Sequence, residues 1–146
     1  MKSLLILGAG GFGRMIKETA LALGYEEVLF LDDTAKDDDV IGRCCDYHLY
    51  HRDYSVAVAA FGNNKTRLFW TQKLLEEEYE VPAIVHPSAI VSPSVRLEPG
   101  CFIMQRAVVN MNTTIKMAAL INSGAVVDHD SIVEEGAHVG LGSVVK

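Results

Sequence analysis

Residues 119–145 read "ALINSGAVVDHDSIVEEGAHVGLGSVV", and in them an aliphatic residue returns at every sixth position: Ile121, Val127, Val133, Val139 and Val145. Carried backwards, the same step meets Ile115, Val109, Ile103, Leu97 and Val91 without a break. Two residues before these stand Ala89, Val95, Cys101, Ala107, Thr113, Ala119, Ala125, Ser131, Ala137 and Ser143, nearly all small. In an extended strand residues n − 2 and n face the same side, so each hexad sends one small and one branched side chain inward. A turn follows, often at glycine (Gly100, Gly124, Gly136, Gly142), where a positive φ carries no steric penalty. This is the hexapeptide repeat of a parallel β-helix, and residues 85–146 are expected to wind about three triangular coils. Residue n then stacks on n + 18, which puts Val91, Val109, Val127 and Val145 in one internal column. A sandwich of short strands imposes no period of six. With Val127 inward, Asp128 faces outward and His129 falls by a corner of the coil.

Residues 1–84 follow a different rule. An apolar strand at 3–7 leads through "GAGGFG" into a helical stretch at 12–23, and a second strand at 27–31 ends in "DD". Residues 34–54 are polar and irregular. "SVAVAAF" (55–61) reads as a strand covered on both faces; "GNNKTR" then opens a helix over 66–79, and "VPAIVH" reads as a fourth strand. Strands alternating with helices predict a parallel sheet of Rossmann-like, mononucleotide-binding type, with ligands at the carboxyl ends of the strands.

Gly8, Gly10 and Gly13 fit G-x-G-x-x-G between a strand and a helix, with Asp32 and Asp33 about twenty residues on, which is the dinucleotide fingerprint. Such a loop lets a phosphate approach the backbone at a helix N-terminus. The expected nucleotide-sugar contacts are Gly10, Gly11, Phe12, Gly13, Asp32, Asp33, Gly62, Asn63 and Arg67. The bland reading of the loop is a tight turn without ligand, and that of Asn63 is a helix cap. Four strands make only half of a two-mononucleotide sheet, which disfavours an NAD-dependent oxidoreductase.

Bulk properties narrow the class. The chain has 146 residues, of which 49% are hydrophobic and 22% charged, so a packed core is expected. A net charge of −6 and a pI of about 5.3 argue against nucleic-acid binding, which wants a clustered basic face. Three cysteines (Cys44, Cys45, Cys101) have neither metal nor disulfide spacing and point to a reducing, cytoplasmic setting. The N-terminal "MKSLLILGAGGFG" lacks a cleavage-site pattern and the roughly 20 apolar residues of a membrane span. His48 and His51 lack a third ligand, and no metal is expected. Met104, Met111 and Met117, with Phe102, fall at outward or corner positions and suggest a partner surface.

The ordered set "GAGGFG … LDD … GNNKTR … HPSAIVSPSV … hexads … VVDHDS … AHVG" resembles bacterial sugar acyltransferases with a UDP-binding N-terminal domain and a left-handed β-helix. They include the UDP-4-amino-sugar N-acetyltransferases of the bacillosamine pathway and the sialic-acid O-acetyltransferase group. The resemblance covers the whole chain. It implies a homotrimer that moves acetyl from acetyl-CoA to an amine or hydroxyl of a nucleotide-linked or free sugar. The family's catalytic histidine falls at His129, and the acid after it, Asp130, would orient that ring. Its second histidine matches His138, near the acetyl-CoA end with Gly140 and Gly142. The thioester is already activated, so the transfer calls for no metal. Phe12 stands where the bacillosamine enzymes have histidine, which leaves the acceptor sugar open. The chain stops in mid-series at Lys146, where relatives continue with coils that supply much of the coenzyme A groove. A truncated, catalytically incomplete nucleotide-sugar-binding fragment is therefore the alternative reading.

Overall fold

The computed structural model describes residues Met1–Lys146, which form two compact units, Met1–Pro82 and Ala83–Lys146. In the first unit, β1 (Ser3–Leu7), β2 (Glu27–Leu31), β3 (Val40–Gly42) and β4 (Ala57–Ala59) make one parallel sheet in the order β3-β2-β1-β4. Helices α1 (Gly11–Ala22) and α2 (Asn64–Glu76) supply the crossovers after β1 and β4. Leu4 to Leu7 and Ala57 to Ala59 are fully buried, the continuous apolar character of strands covered on both faces.

Two expectations for this unit are corrected. The fourth strand comes from Val40–Gly42, inside the segment read as irregular, while Ile84–Val85 pairs in the second unit. Val40–Gly42 was hard to see because it is short and half-buried, with no alternation. Its neighbourhood is fastened instead by charge. Arg14, with Lys17, binds Asp39 at 2.6 and 2.7 Å and holds its carboxyl down at about 2, against some opposing burial. Arg14 also lies over the Phe30 ring, 4.3 Å from its centroid.

The second unit contains β5 (Ile84–Val85), β6 (Ile90–Val91), β7 (Arg96–Leu97), β8 (Phe102–Ile103), β9 (Val108–Val109), β10 (Thr114–Ile115), β11 (Leu120–Ile121), β12 (Val126–Val127), β13 (Ile132–Val133), β14 (His138–Val139) and β15 (Val144–Val145). They fall into three parallel sheets, β13-β10-β7, β14-β11-β8-β5 and β15-β12-β9-β6. The chain visits the three in rotation, so Val91 pairs with Val109, Val109 with Val127, and Val127 with Val145, each step 18 residues. The second residue of each strand joins one internal cluster with the small residue two places earlier, as Cys101 and Ile103 or Ala119 and Ile121 do.

The corners are more regular than the glycines suggest. Every sixth residue from 100 to 142 has positive φ: Gly100, Arg106, Asn112, Ala118, Gly124, Asp130, Gly136 and Gly142. Four of them carry a side chain in a conformation that costs an L-residue roughly 1–2 kcal/mol. The stacked register imposes it. Adjacent corners are tied by backbone bonds such as Gly124 N to Gln105 O and Gly136 N to Met117 O, both 2.9 Å.

The partner surface expected from Phe102 and Met104 is also corrected, because both are fully buried within the chain; Met111 is exposed and Met117 half-buried. The outward apolar column lies on another sheet, at Ile90, Val108, Val126 and Val144, whose ends are 67% and 64% exposed.

The first turn sets a steric limit. A Cβ built on Gly13 falls 1.9 Å from the carbonyl oxygen of Gly8. Gly13→Ala is expected to lower unfolding stability by about 1–3 kcal/mol or more in urea titration, as overpacking against backbone does. Unchanged stability would show that α1 and β1 are not so closely apposed.

Candidate functional site

At the carboxyl edge of the first sheet, the loops after β1 and β4 flank the point where strand order reverses, the crevice where open α/β sheets bind ligands. The glycines there fall into two groups. Gly8 and Gly13 are required by packing: added Cβ atoms would meet the carbonyl oxygens of Ala60 (2.7 Å) and Gly8. Gly10, Gly11 and Gly62 meet nothing within 4 Å and have no positive φ, so the fold itself does not demand glycine there. Gly10 sits at the N-cap of α1 without a side-chain cap, at the positive end of the helix. Phe12 is half-buried.

The other predicted contacts serve the chain first. Asp32 accepts from Ala9 N (2.8 Å) on one oxygen, and from Thr34 N (2.9 Å) and Ala35 N (2.8 Å) on the other. Burial raises its pKa, but these bonds together outweigh it and the net shift is downward. Asp32 therefore locks the glycine loop to the end of β2. Asp33 accepts from Cys44 N at 3.0 Å. Both acids border an open groove of about 460 Å³ with Thr34, Lys36, Gly42 and Arg43. Asn63 caps α2, its side-chain oxygen accepting from Thr66 N at 2.9 Å. Arg67 is fully buried, which lowers its pKa to about 10, and donates to Phe61 O (3.0 Å) and Asn64 Oδ1 (3.0 Å). It braces the Gly62–Asn63 loop from behind. His48 and His51 pack edgewise on Tyr47 and at 4.7 Å on Tyr79, respectively.

In the second unit, the corner after β12 carries His129 and Asp130, both exposed. Asp130 has φ 58° and bonds through its amide to Met111 O at 2.9 Å, which fixes where its side chain starts. Its Oδ2 lies 2.6 Å from His129 Nδ1. Asp128 Oδ1 accepts from His129 N at 2.8 Å and lies 4.0 Å from Nε2. The Asp130 hydrogen bond, then the charges of Asp128 and Asp130, raise the imidazole pKa. Reciprocally, His129, helped by Asn112, holds Asp130 below the ordinary carboxylate range. With its proton directed to Asp130 from Nδ1, the ring keeps a lone pair on Nε2. That nitrogen can accept a proton from a molecule at the corner.

His138 stands elsewhere, on the outward face of β14 beside Leu120, 3.1 Å from Asn122 Nδ2. Gly140 is half-buried and Gly142, at φ +64°, is an exposed corner. Thus His129 and Asp130 are in contact, while His138, Gly140 and Gly142 lie farther along the coil.

Residues 3–74 match the family model described as the PglD N-terminal domain. The acetyltransferase domain of PglB from Neisseria gonorrhoeae, in complex with acetyl coenzyme A, superposes with a TM-score of 0.94 at 32% identity, over 98% of this chain and 72% of that one. The chain belongs to the bacterial nucleotide-sugar acetyltransferase family. PerB from Caulobacter crescentus, in complex with CoA and GDP-perosamine, gives 0.92 at 30% identity over 99% and 71% of the two chains. WeeI from Acinetobacter baumannii, at 14% identity over 99% and 94% and a TM-score of 0.66, shares the fold.

Within this acetyltransferase chain, sequence reasoning overlooked Asn112, Thr113 and Asn122. All three neighbour candidate groups across a coil or a corner. The signal available was the 18-residue step, which places Asn112 directly below Asp130.

NMR titration of His129 should show a midpoint above the ordinary 6.5, and Asp130→Asn should move it down. A raised pKa means the pairing favours the folded state most fully below about 6.5 and fades as pH rises through the folded midpoint. A midpoint unmoved by Asp130→Asn would refute the pairing.

Proposed function

We propose that the chain transfers the acetyl group of acetyl-CoA to an amine or hydroxyl of a nucleotide-linked sugar, with His129 as general base. The observation that carries this reading is the 2.6 Å contact between His129 Nδ1 and Asp130, which leaves Nε2 open at an exposed corner. Acetyl coenzyme A bound to the PglB domain, and CoA with GDP-perosamine bound to PerB, support the substrate class.

The chemistry follows from the pair. Nε2 takes the proton of the acceptor N–H or O–H as that atom attacks the thioester carbonyl. Asp130 steadies the imidazolium that forms. A carbon–nitrogen or carbon–oxygen bond forms, the carbon–sulfur bond breaks, and the imidazolium proton leaves with the departing thiolate. Base catalysis of this kind contributes on the order of 10²–10⁴ in rate.

The three-sheet coil is read as a left-handed β-helix. The nucleotide part of the acceptor lies over Gly10, Gly11 and Phe12 and beside Gly62 and Asn63, where glycine is not otherwise needed. Acetyl-CoA lies along His138, Gly140 and Gly142. The outward column Ile90, Val108, Val126 and Val144 is the face on which copies associate into a homotrimer, and β12 in that face runs directly into the His129 corner. An apolar column otherwise open to water favours such association.

Release of CoA thiol from acetyl-CoA should be followed with UDP- and GDP-linked 4-amino sugars as acceptors. His129→Ala is expected to slow transfer by about 10²–10⁴; undiminished transfer would overturn the base assignment. In thermal-shift titrations the preferred nucleotide should stabilise the protein by about 2.7 kcal/mol at a hundredfold excess over Kd. Gly11→Leu, which fills only open space, should abolish that shift with the unliganded fold intact. A persistent shift would remove the glycine loop from the site.

A further inference from the structure

Thr113 is the sole polar residue that is fully buried in Ala83–Lys146. It occupies the inward slot that other hexads give to alanine, as at Ala107, Ala119 and Ala125. An inward hydroxyl in an apolar column must be hydrogen-bonded to be tolerated. Its Oγ1 donates to Asp128 O at 2.9 Å and accepts from Ser131 N at 3.3 Å.

Those two atoms are the ends of the turn that carries His129 and Asp130. At eight other turns of the coil the equivalent atoms bond directly, as Ala119 N does to Lys116 O (3.1 Å), Ala125 N to Asn122 O (3.2 Å) and Ala137 N to Glu134 O (3.1 Å); the turn that ends at Thr113 itself is the other without that bond. At 128–131 the Thr113 hydroxyl takes the place of that bond and bridges the two ends. The outer sides of the turn follow the common pattern, with Asp128 N on Val145 O (2.8 Å) and Thr114 N on Ser131 O (3.0 Å). The departure at this turn lies on its inside, beneath the corner that carries the imidazole.

We propose that Thr113 is a positioning residue, whose hydroxyl holds the 128–131 turn in the form that keeps His129 against Asp130. The inference rests on the assignment of His129 as the base only for its effect on rate; the clasp itself is independent of that assignment. Without the hydroxyl the turn can close to the direct bond seen elsewhere, and the side chains of its two middle residues move with it. Asp128 and Asp130 are the charged groups that face the ring, so a moved ring titrates differently.

The test compares Thr113→Val, which keeps the volume and has a precedent in the slot at Val95, with Thr113→Ser, which keeps the hydroxyl. In the full chain, the His129 C2–H resonance, identified by its loss in His129→Ala, is titrated by NMR, and kcat and KM for acetyl-CoA are measured. Thr113→Val should bring the His129 midpoint down towards 6.5 and lower kcat by about tenfold to a hundredfold with KM little changed, as misplacement of a reacting group does. Thr113→Ser should restore both. Should Thr113→Val fail to fold, Thr113→Ala supplies the same comparison with the commonest residue of the slot. A wild-type titration curve in both hydroxyl-free variants would overturn the proposal, as would equal losses in Thr113→Ser and Thr113→Val. Failure of the base assignment reads differently: His129→Ala then keeps its transfer rate, while the titration still reports the clasp.

Discussion

The stacking of each inward aliphatic side chain on its counterpart 18 residues away holds the second unit in register. Val109 on Val127 and Ile103 on Ile121 are typical. Two-residue strands have almost no stability alone, since an isolated strand pair is marginal even when longer. Here each strand is hydrogen-bonded to neighbours in adjacent coils and contributes its second residue to one continuous apolar column. A slip of one residue would turn that column outward everywhere at once, so the register is strongly specified.

That constraint reaches the chemistry through the corners. Because the register fixes where each turn falls, it forces left-handed backbone on whatever residue occupies the sixth position, aspartate included. Asp130 is thus held in a conformation that it would rarely adopt in a free loop. Its carboxylate comes to the ring beside it while still facing water. Strain of this kind persists where the surrounding structure over-determines it. The exposed pair then has one ring nitrogen engaged and the other open, with a pKa raised by two neighbouring carboxylates, as the proposed role of His129 requires.

Much of this was legible in the sequence. The period of six gave the inward column residue by residue, because aliphatic and small side chains alternate with the pleat whatever the corners contain. His129 beside Asp130 was legible through the resemblance. The left-handed corners at Arg106, Asn112, Ala118 and Asp130 were not, since none is glycine and only the register demands them. Thr113 was legible as a small residue in its slot, but its hydroxyl bridges to residues 15 and 18 positions on, a distance no local pattern spans. In the first unit the glycine fingerprint was plain, yet only the geometry separates Gly8 and Gly13, which packing requires, from Gly10 and Gly11, which it does not. Asp32 and Arg67 are expected as ligand contacts because charged residues beside a glycine loop suit a phosphate; that each also bonds backbone groups of its own unit is visible only in the structure. Val40–Gly42 escaped notice because it is too short for periodicity to register.

The proposed role of His129 depends on where its open nitrogen points when substrates are present. A crystal structure of the chain with CoA and the nucleotide-linked sugar it acetylates measures this directly. The expected result is an acceptor nitrogen or oxygen about 2.6–3.2 Å from Nε2, the reach of a general base, with Asp130 still on Nδ1. An acceptor bound at another corner of the coil, with no path to Nε2, would contradict it.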